Sequence, residues 1–367
     1  MSDPSAEALA HFGFSLFTSV ARDRIDHTTM VCPAAVAAQL CTLQMAVSGE
    51  TKAELLSTPV LHGQISYLQA ATVKLLVQFG KPSSNFQAFL VHRVYIDRTV
   101  QLVEGWSNAV ETMFKCGVEP AAFRGDPEAV AASANAWIAQ ATDGHLTTIV
   151  PPGTIDTSEK VMLVSAFYFK SPTEHAFQSI GLATYCPKAS VRLEVDMIGA
   201  TGEFMYAELT SPASGKALVI PFRHCEVSLL LLLPDRHSFV NDYRAGLTPS
   251  FLKEVLDKLT RKQVHVELPR TTFTQEINLN RSLITLGVKH AFMESADFSA
   301  AVQVGALRLT NVMQKVVFVL QENPGTKPLE LPSAPLDFLV CRPFLLVLYR
   351  PSDNYILLLG AVKDIPK

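Results

Sequence analysis

The chain has 367 residues, of which 48% are hydrophobic and 18% charged, and a net charge of −3. This is ample for a sizeable buried core and too apolar for a disordered chain, a collagen or a coiled coil. The 31 basic residues form no stripe set apart from the 34 acidic ones, which disfavours nucleic acid as a partner.

In chain order, residues 5–21 predict an amphipathic helix, with Leu9, Phe12, Leu16 and Val20 recurring at three- or four-residue spacing. Residues 29–47 read as a second, apolar helix entered through Cys32-Pro33, because proline is tolerated in a first helical turn. Ile65–Phe79 gives a third. The alanine-rich stretch 126–141 carries Trp137 and Ile138 and ends at Thr142-Asp143-Gly144, where glycine suits a helix C-terminus. From residue 161 short β-favouring runs take over, at 161–169, 217–221, 227–233, 264–268, 312–320, 344–349 and 355–362. Several are apolar without alternation, as expected of sheets covered on both faces. Helical spacing returns at 248–260 and 279–286. No repeat or linker divides the chain, so a single α+β domain over residues 1–367 is expected.

The longest apolar runs, 227–233 and 338–349, stop at Pro234 or are broken by Arg342-Pro343. They fall short of the roughly 18 residues that span a bilayer, so no membrane partner is expected. The opening residues MSDPSAEALAHFGF show no basic region followed by an apolar core, which favours a cytoplasmic location. Six cysteines (Cys32, Cys41, Cys116, Cys186, Cys225 and Cys341) are scattered through mostly apolar surroundings without a CxxC pair. They read as free thiols of a reducing compartment.

Residues that carry chemistry are not grouped. The sequence lacks GxxxxGK[ST], GxGxxG, HExxH and GxSxG, so phosphate, dinucleotide, zinc and acyl chemistry have no motif behind them. His224 and Cys225 are adjacent, but neighbours on an extended strand point to opposite faces and do not easily share a metal. The reading is therefore of a protein that is no enzyme, with no catalytic residue, no metal and no cofactor.

The order of several longer stretches is more telling. VELPRTTFTQEINLNRSLITLGVKHAFMESADFS (266–299), VMQKVVFVLQENPGT (312–326), RPFLLVLY (342–349) and ILLLGAVKDIP (356–366) resemble the serpin family. Upstream, NAWIAQATDGHLTTIV (135–150) and SAFYFK (165–170) resemble the family's passage from helix to strand, and Cys32-Pro33 stands where the family has Ser-Pro. The likeness runs from about residue 6 to 366. It implies three β-sheets with eight or nine helices and a reactive-centre loop, here about residues 325–341. Inhibitory members of that family are cut in this loop, which then enters the main sheet as a new strand and drags the acylated protease with it.

The resemblance assigns a loop hinge to Gly325, Thr326, Lys327 and Pro328, followed by a short, proline-rich stretch, KPLELPSAPLDFLVC (327–341). Strand side chains alternate, so if Thr326 faces inward, Pro328, Glu330 and Pro332 do as well. Proline cannot donate to a central ladder, and an ionised Glu330 facing a core would cost several kcal/mol. Counting forward from the hinge puts the candidate reactive bond at Leu339–Val340, with Asp337–Phe338 as the alternative. Counting back from Arg342 gives a position near Leu331-Pro332.

Further departures point the same way. The family's tryptophan expected shortly after the FK of SAFYFK falls on Thr173, and its buried polar network falls on Cys32, Ala35, Ser165 and Gln314. The helix Ile65–Phe79, where heparin-binding members carry a basic cluster, offers only Lys74, so heparin is not expected. The sequon Asn280-Arg281-Ser282 is expected to be unmodified. The resulting expectation is a monomeric serpin with impaired or absent protease trapping, acting as a protein-binding or bait scaffold. The alternative is a working serine or cysteine protease inhibitor with an unusual short loop. Its partner is then a protein, a protease among the candidates. A compact member without a leader would suit an intracellular host protein or a viral immunomodulator, although the resemblance also allows an extracellular location.

Overall fold

The computed structural model describes residues 3–80, 86–236, 239–323 and 334–366. The chain opens with helix α1 (Pro4–Arg22), whose N-cap Asp3 accepts from Ser5 N. A short strand β1 (Thr29–Val31) then leads into α2 (Pro33–Ala46). Residues 29–47 are thus not one helix. Thr29–Val31 pairs with the last strand of the chain, and the helix starts only at Pro33. There follow α3 (Gly49–Ser57), α4 (Ile65–Phe79), β2 (Gln87–Asp97), β3 (Gln101–Leu102), α5 (Trp106–Phe114), β4 (Gly117–Ala121) and α6 (Pro127–Ala141).

The second half is strand-rich: β5 (Val161–Lys170), β6 (Gln178–Lys188), β7 (Val191–Leu209), β8 (Gly215–Pro221) and β9 (Ser228–Pro234). After α7 (Phe239–Gly246) and α8 (Pro249–Lys258) come β10 (Thr260–Pro269), β11 (Thr271–Asn278) and α9 (Asn280–Thr285). The last strands are β12 (Val302–Val304), β13 (Leu309–Leu320), β14 (Leu336–Leu339), β15 (Phe344–Arg350) and β16 (Tyr355–Val362). None of the described helices is long and apolar enough to cross a membrane.

Among the described residues the strands form three sheets. The larger runs β1-β16-β15-β9-β8-β7-β10-β14, with β6 also paired to β7. The second runs β11-β13-β5-β2-β4, and β12 pairs with β3. Helices first and strands later is therefore only partly right, because β2 and β4 lie in the first half. Strand β6 and the first residues of β7 are largely exposed and carry no apolar run, so their extended state comes from mutual pairing rather than propensity, whereas β7 is buried at Met197–Ala200 and again at Phe204, Tyr206, Ala207 and Leu209.

One buried cluster joins α1 and α2 to the inner faces of both large sheets, and a second packs α6 on the outer face of the five-stranded sheet. In the second, Val130, Ala134 and Ile138 of α6 meet Met162, Val164 and Ala166 of β5. All six cysteines are unbridged, and burial pushes the thiols of Cys32, Cys41 and Cys116 up to about 12.

Candidate functional site

The centre of the five-stranded sheet is a seam between β13 and β5. These strands run parallel and pair directly, from Leu309 against Val161 to Phe318 against Phe169. Every other neighbouring pair that includes β13 or β5 is antiparallel. A segment folding back after β13 runs antiparallel to it. Only between β13 and β5 would such a segment meet two neighbours that are both antiparallel to it. The seam is where a new strand could enter this sheet.

Three sets of contacts hold the seam shut. At its upper end, rings cross three strands in register: Phe273 of β11 stacks beside Phe318 of β13 at 6.4 Å, and Phe318 beside Phe169 of β5 at 6.2 Å. Phe222 meets Phe169 edge-on at 4.9 Å. Just beyond, Thr173 is buried and occupies no indole's worth of space. Instead, its N–H and hydroxyl donate to Asn323 Oδ1 at 3.1 and 2.7 Å. Asn323 Nδ2 donates in return to the carbonyls of Thr173 (2.8 Å) and His175 (3.0 Å). Asn323 N–H also donates to Phe177 O at 2.9 Å. This latch ties the chain leaving β13 to the chain leaving β5.

Lower down, a polar row crosses the sheet: His92 of β2 lies opposite Ser165 of β5, and Ser165 opposite Gln314 of β13. The Gln314 carboxamide clamps the start of α2 with both ends. Its oxygen accepts from Cys32 N–H at 3.0 Å, and its nitrogen donates to Cys32 O at 2.9 Å. Ser165 Oγ reaches only Met313 O, at 3.4 Å. His92 donates from Nε2 to Phe114 O at 2.7 Å, while its buried Nδ1 has no partner, and burial drives its pKa down to about 4. On the opposite face, Lys315 Nζ bonds Thr148 O (2.5 Å) and Glu276 (2.7 Å), anchoring β13 to the connection after α6.

The sequence-predicted loop residues fall into two groups. Gly325, Thr326, Lys327 and Pro328 lie outside the described residues, as do Glu330 and Pro332. The candidate bond Leu339–Val340 and its alternative Asp337–Phe338 do not sit on an exposed loop. Leu336–Leu339 is β14, paired parallel to Val264–Glu267 of β10. Phe338 and Val340 are fully buried, and Val340 N–H donates to Glu267 O at 2.9 Å. Only Asp337 and Leu339 show their side chains to solvent, and Lys216 Nζ bonds the Asp337 carbonyl. The forward count from Gly325 thus lands on residues that this sheet takes up as an edge strand.

Sequence reasoning missed Asn323. The available signal was an asparagine at a strand end just before Pro324-Gly325, a usual turn former with a side chain free to bond backbone. Gln314 was noticed as a departure, but not as a clamp.

One family model, Serpin (serine protease inhibitor), matches residues 7–365 of this chain. The chain belongs to the serpin family. Its α+β architecture is the serpin fold. Among curated relatives it is similar to plasminogen activator inhibitor 1 of Neovison vison, with 24% identity covering 98% of this chain and 93% of that one. It is also similar to Iris of Ixodes ricinus, with 23% identity over 91% of each. Human thyroxine-binding globulin, solved in complex with thyroxine, superimposes with a TM-score of 0.90 at 19% identity, covering 100% of this chain and 99% of that one. Uncleaved ovalbumin gives 0.86 at 21%, covering 99% and 100%. Their names span an inhibitor and a thyroxine-binding globulin, so family membership leaves the mode of action to this chain's own residues.

Proposed function

We propose that this serpin is a single-domain scaffold that binds a protein partner, or offers its loop as bait, without trapping a protease. The reading is carried by a conflict between length and access. The seam faces a strand of ten residues in β5, about 33 Å at strand rise. Residues 321–335 link β13 to β14. After the turn that reverses the chain, an insert long enough to cross the seam must run to about residue 337 or beyond, which is inside β14. A bond cut upstream, such as Leu331-Pro332, leaves an insert that stops partway. A bond cut at Leu339–Val340 gives the length but lies in a paired strand with Val340 buried.

Composition acts in the same direction. Pro328 and Pro332 remove two ladder donors, and Glu330 would meet an apolar face. The insert would also have to part the Phe169–Phe318 stack and the Asn323 latch.

Heparin finds little purchase. The single lysine of α4, Lys74, already bonds Asp3 and the Tyr355 hydroxyl. Incubation with trypsin, chymotrypsin and granzyme B, read by gel and by melting temperature, tests the proposal. The expected result is resistance or simple cleavage, with no SDS-stable complex and little change in melting temperature. An SDS-stable complex, or a rise of tens of degrees after nicking, would establish the working-inhibitor alternative instead.

A further inference from the structure

At the C-terminal end of α1, a cleft of about 320 Å³ opens beside the outer edge of β11. Its size is at the lower end of small-molecule pockets, which run from about 300 to 1,000 Å³. Arg24 and Gln275 line it together with Met30, Phe273 and Ile365.

Gln275 is only 8% exposed, and its Oε1 accepts from Met30 N–H at 2.6 Å. That bond fixes which end of the amide is the donor, and the donor, Nε2, is buried without a partner. Arg24 Nε on the same cleft is also buried without a partner. Two buried N–H donors lacking acceptors are costly in a folded protein and are usually matched by something. One of them is permanently charged, so the acceptor it favours is an anion.

The rest of the lining limits what that anion can be. Met30, Phe273 and Ile365 supply apolar side chains. Glu276, which is held by Lys315, and the exposed Asp364 also line the cleft and disfavour a second negative charge in the ligand.

We infer that this cleft is a binding site for an apolar monocarboxylate, with the carboxylate on Arg24 Nε–H and the Gln275 amide and the hydrocarbon body against Met30, Phe273 and Ile365. The site lies on β11, one strand away from the β13–β5 seam, and shares Phe273 with the ring stack there, but its two donors, on Arg24 and Gln275, take no part in the seam's contacts.

The test uses the full chain and two probes, 2-naphthoate and octanoate, titrated by calorimetry. Naphthalene-2,6-dicarboxylate and 2-naphthamide serve as charge controls. At least one monocarboxylate is expected to bind saturably at one site, with the dicarboxylate and the amide weaker. Gln275→Glu keeps the acceptor for Met30 N–H but replaces the donor with a negative charge, and should weaken binding at least about tenfold. Arg24→Met, at a partly exposed position, should do the same without lowering the melting temperature of the unliganded protein, since it removes an unmatched buried donor. Failure of both probes to bind, or binding that survives both substitutions, or equal binding of the amide, would overturn the assignment.

Discussion

The two large sheets are held together by different physics. In the nine-stranded sheet, β9, β15 and β16 pair antiparallel, and their runs Leu229–Leu233, Leu345–Leu348 and Ile356–Leu359 are essentially dry aliphatic. Nothing there can exchange partners. The β13–β5 seam is parallel and carries its fixings in polar groups: His92, Ser165, Gln314, Lys315, Thr173 and Asn323. All of these but Ser165, whose hydroxyl only approaches Met313 O at 3.4 Å, make directional bonds that single substitutions can remove. A sheet that is only a wall can be all leucine, whereas a sheet whose family role is to part has polar fasteners at its seam. In this chain the strongest of those fasteners are fully matched, which is why the seam reads as shut.

The largest effect should come from the dry sheet. Leu231 is fully buried in β9, so Leu231→Ala should cost about 2–5 kcal/mol of unfolding free energy in urea. The loss should be global, with no selective loosening of the seam by hydrogen exchange. Selective exchange at β13 and β5 would show that the two sheets are coupled rather than distinct.

Acid should find the seam first. His92 has its pKa lowered from 6.5 to about 4 by burial, so the folded state keeps it neutral while the unfolded chain takes up a proton below 6.5. Its contribution is therefore complete above pH 6.5 and is lost as pH falls from 6.5 towards 4, by about 3 kcal/mol in all. His92→Gln should flatten the decline of the urea midpoint between pH 7 and 4.5. An unchanged slope would mean that other groups carry the acid sensitivity.

At the mouth of the seam, Asn323→Ala removes the Thr173–His175 latch and leaves buried donors and carbonyls unmatched, at about 1–3 kcal/mol. Amides of β13 and β5 near Phe318 and Phe169 should then exchange faster than those of β9. If cleavage of this variant now raises its melting temperature where the parent's does not, the latch, rather than the loop prolines, is what prevents insertion.

How much of this could be read beforehand divides along the same line. β16 spans Tyr355–Val362 and α4 Ile65–Phe79, as the pattern indicates, because continuous apolar runs and helical spacing are local signals. Strand β6 and the exposed start of β7 escaped, since their pairing with each other, and that of β7 with the later β10, decides their state rather than their composition. At the seam the residue types were legible at Cys32, Thr173, Ser165 and Gln314, but their bonding was not. The Gln314 clamp closes on the backbone of Cys32, 282 residues away, and nothing in either segment announces it. The loop's prolines were legible, but the uptake of residues 336–339 by β10 was not, because LDFL has no signal that distinguishes a loop end from a sheet edge.

The smallest effect is the most discriminating test of the polar row. Ser165 is fully buried and stands where the family network would be expected to need it, yet its hydroxyl has one contact, a 3.4 Å approach to Met313 O. That is beyond good hydrogen-bond length, so little is lost with it. Ser165→Ala should change stability by less than about 0.5 kcal/mol, since removing a weakly bonded hydroxyl also removes the cost of burying it. Gln314→Leu, one strand away, is similar in bulk but deprives both Cys32 N–H and Cys32 O of their partner, and should cost about 1–3 kcal/mol. The two variants measured side by side by urea unfolding separate two views of the seam. If the costs are as stated, the row has shrunk to one clamp from β13 to α2, and β5 is held to β13 by its ladder and by phenyl rings. If Ser165→Ala costs as much as Gln314→Leu, the hydroxyl works in a network that still spans the seam, and parting the strands would then exchange its bonds as the family's inhibitory mechanism requires.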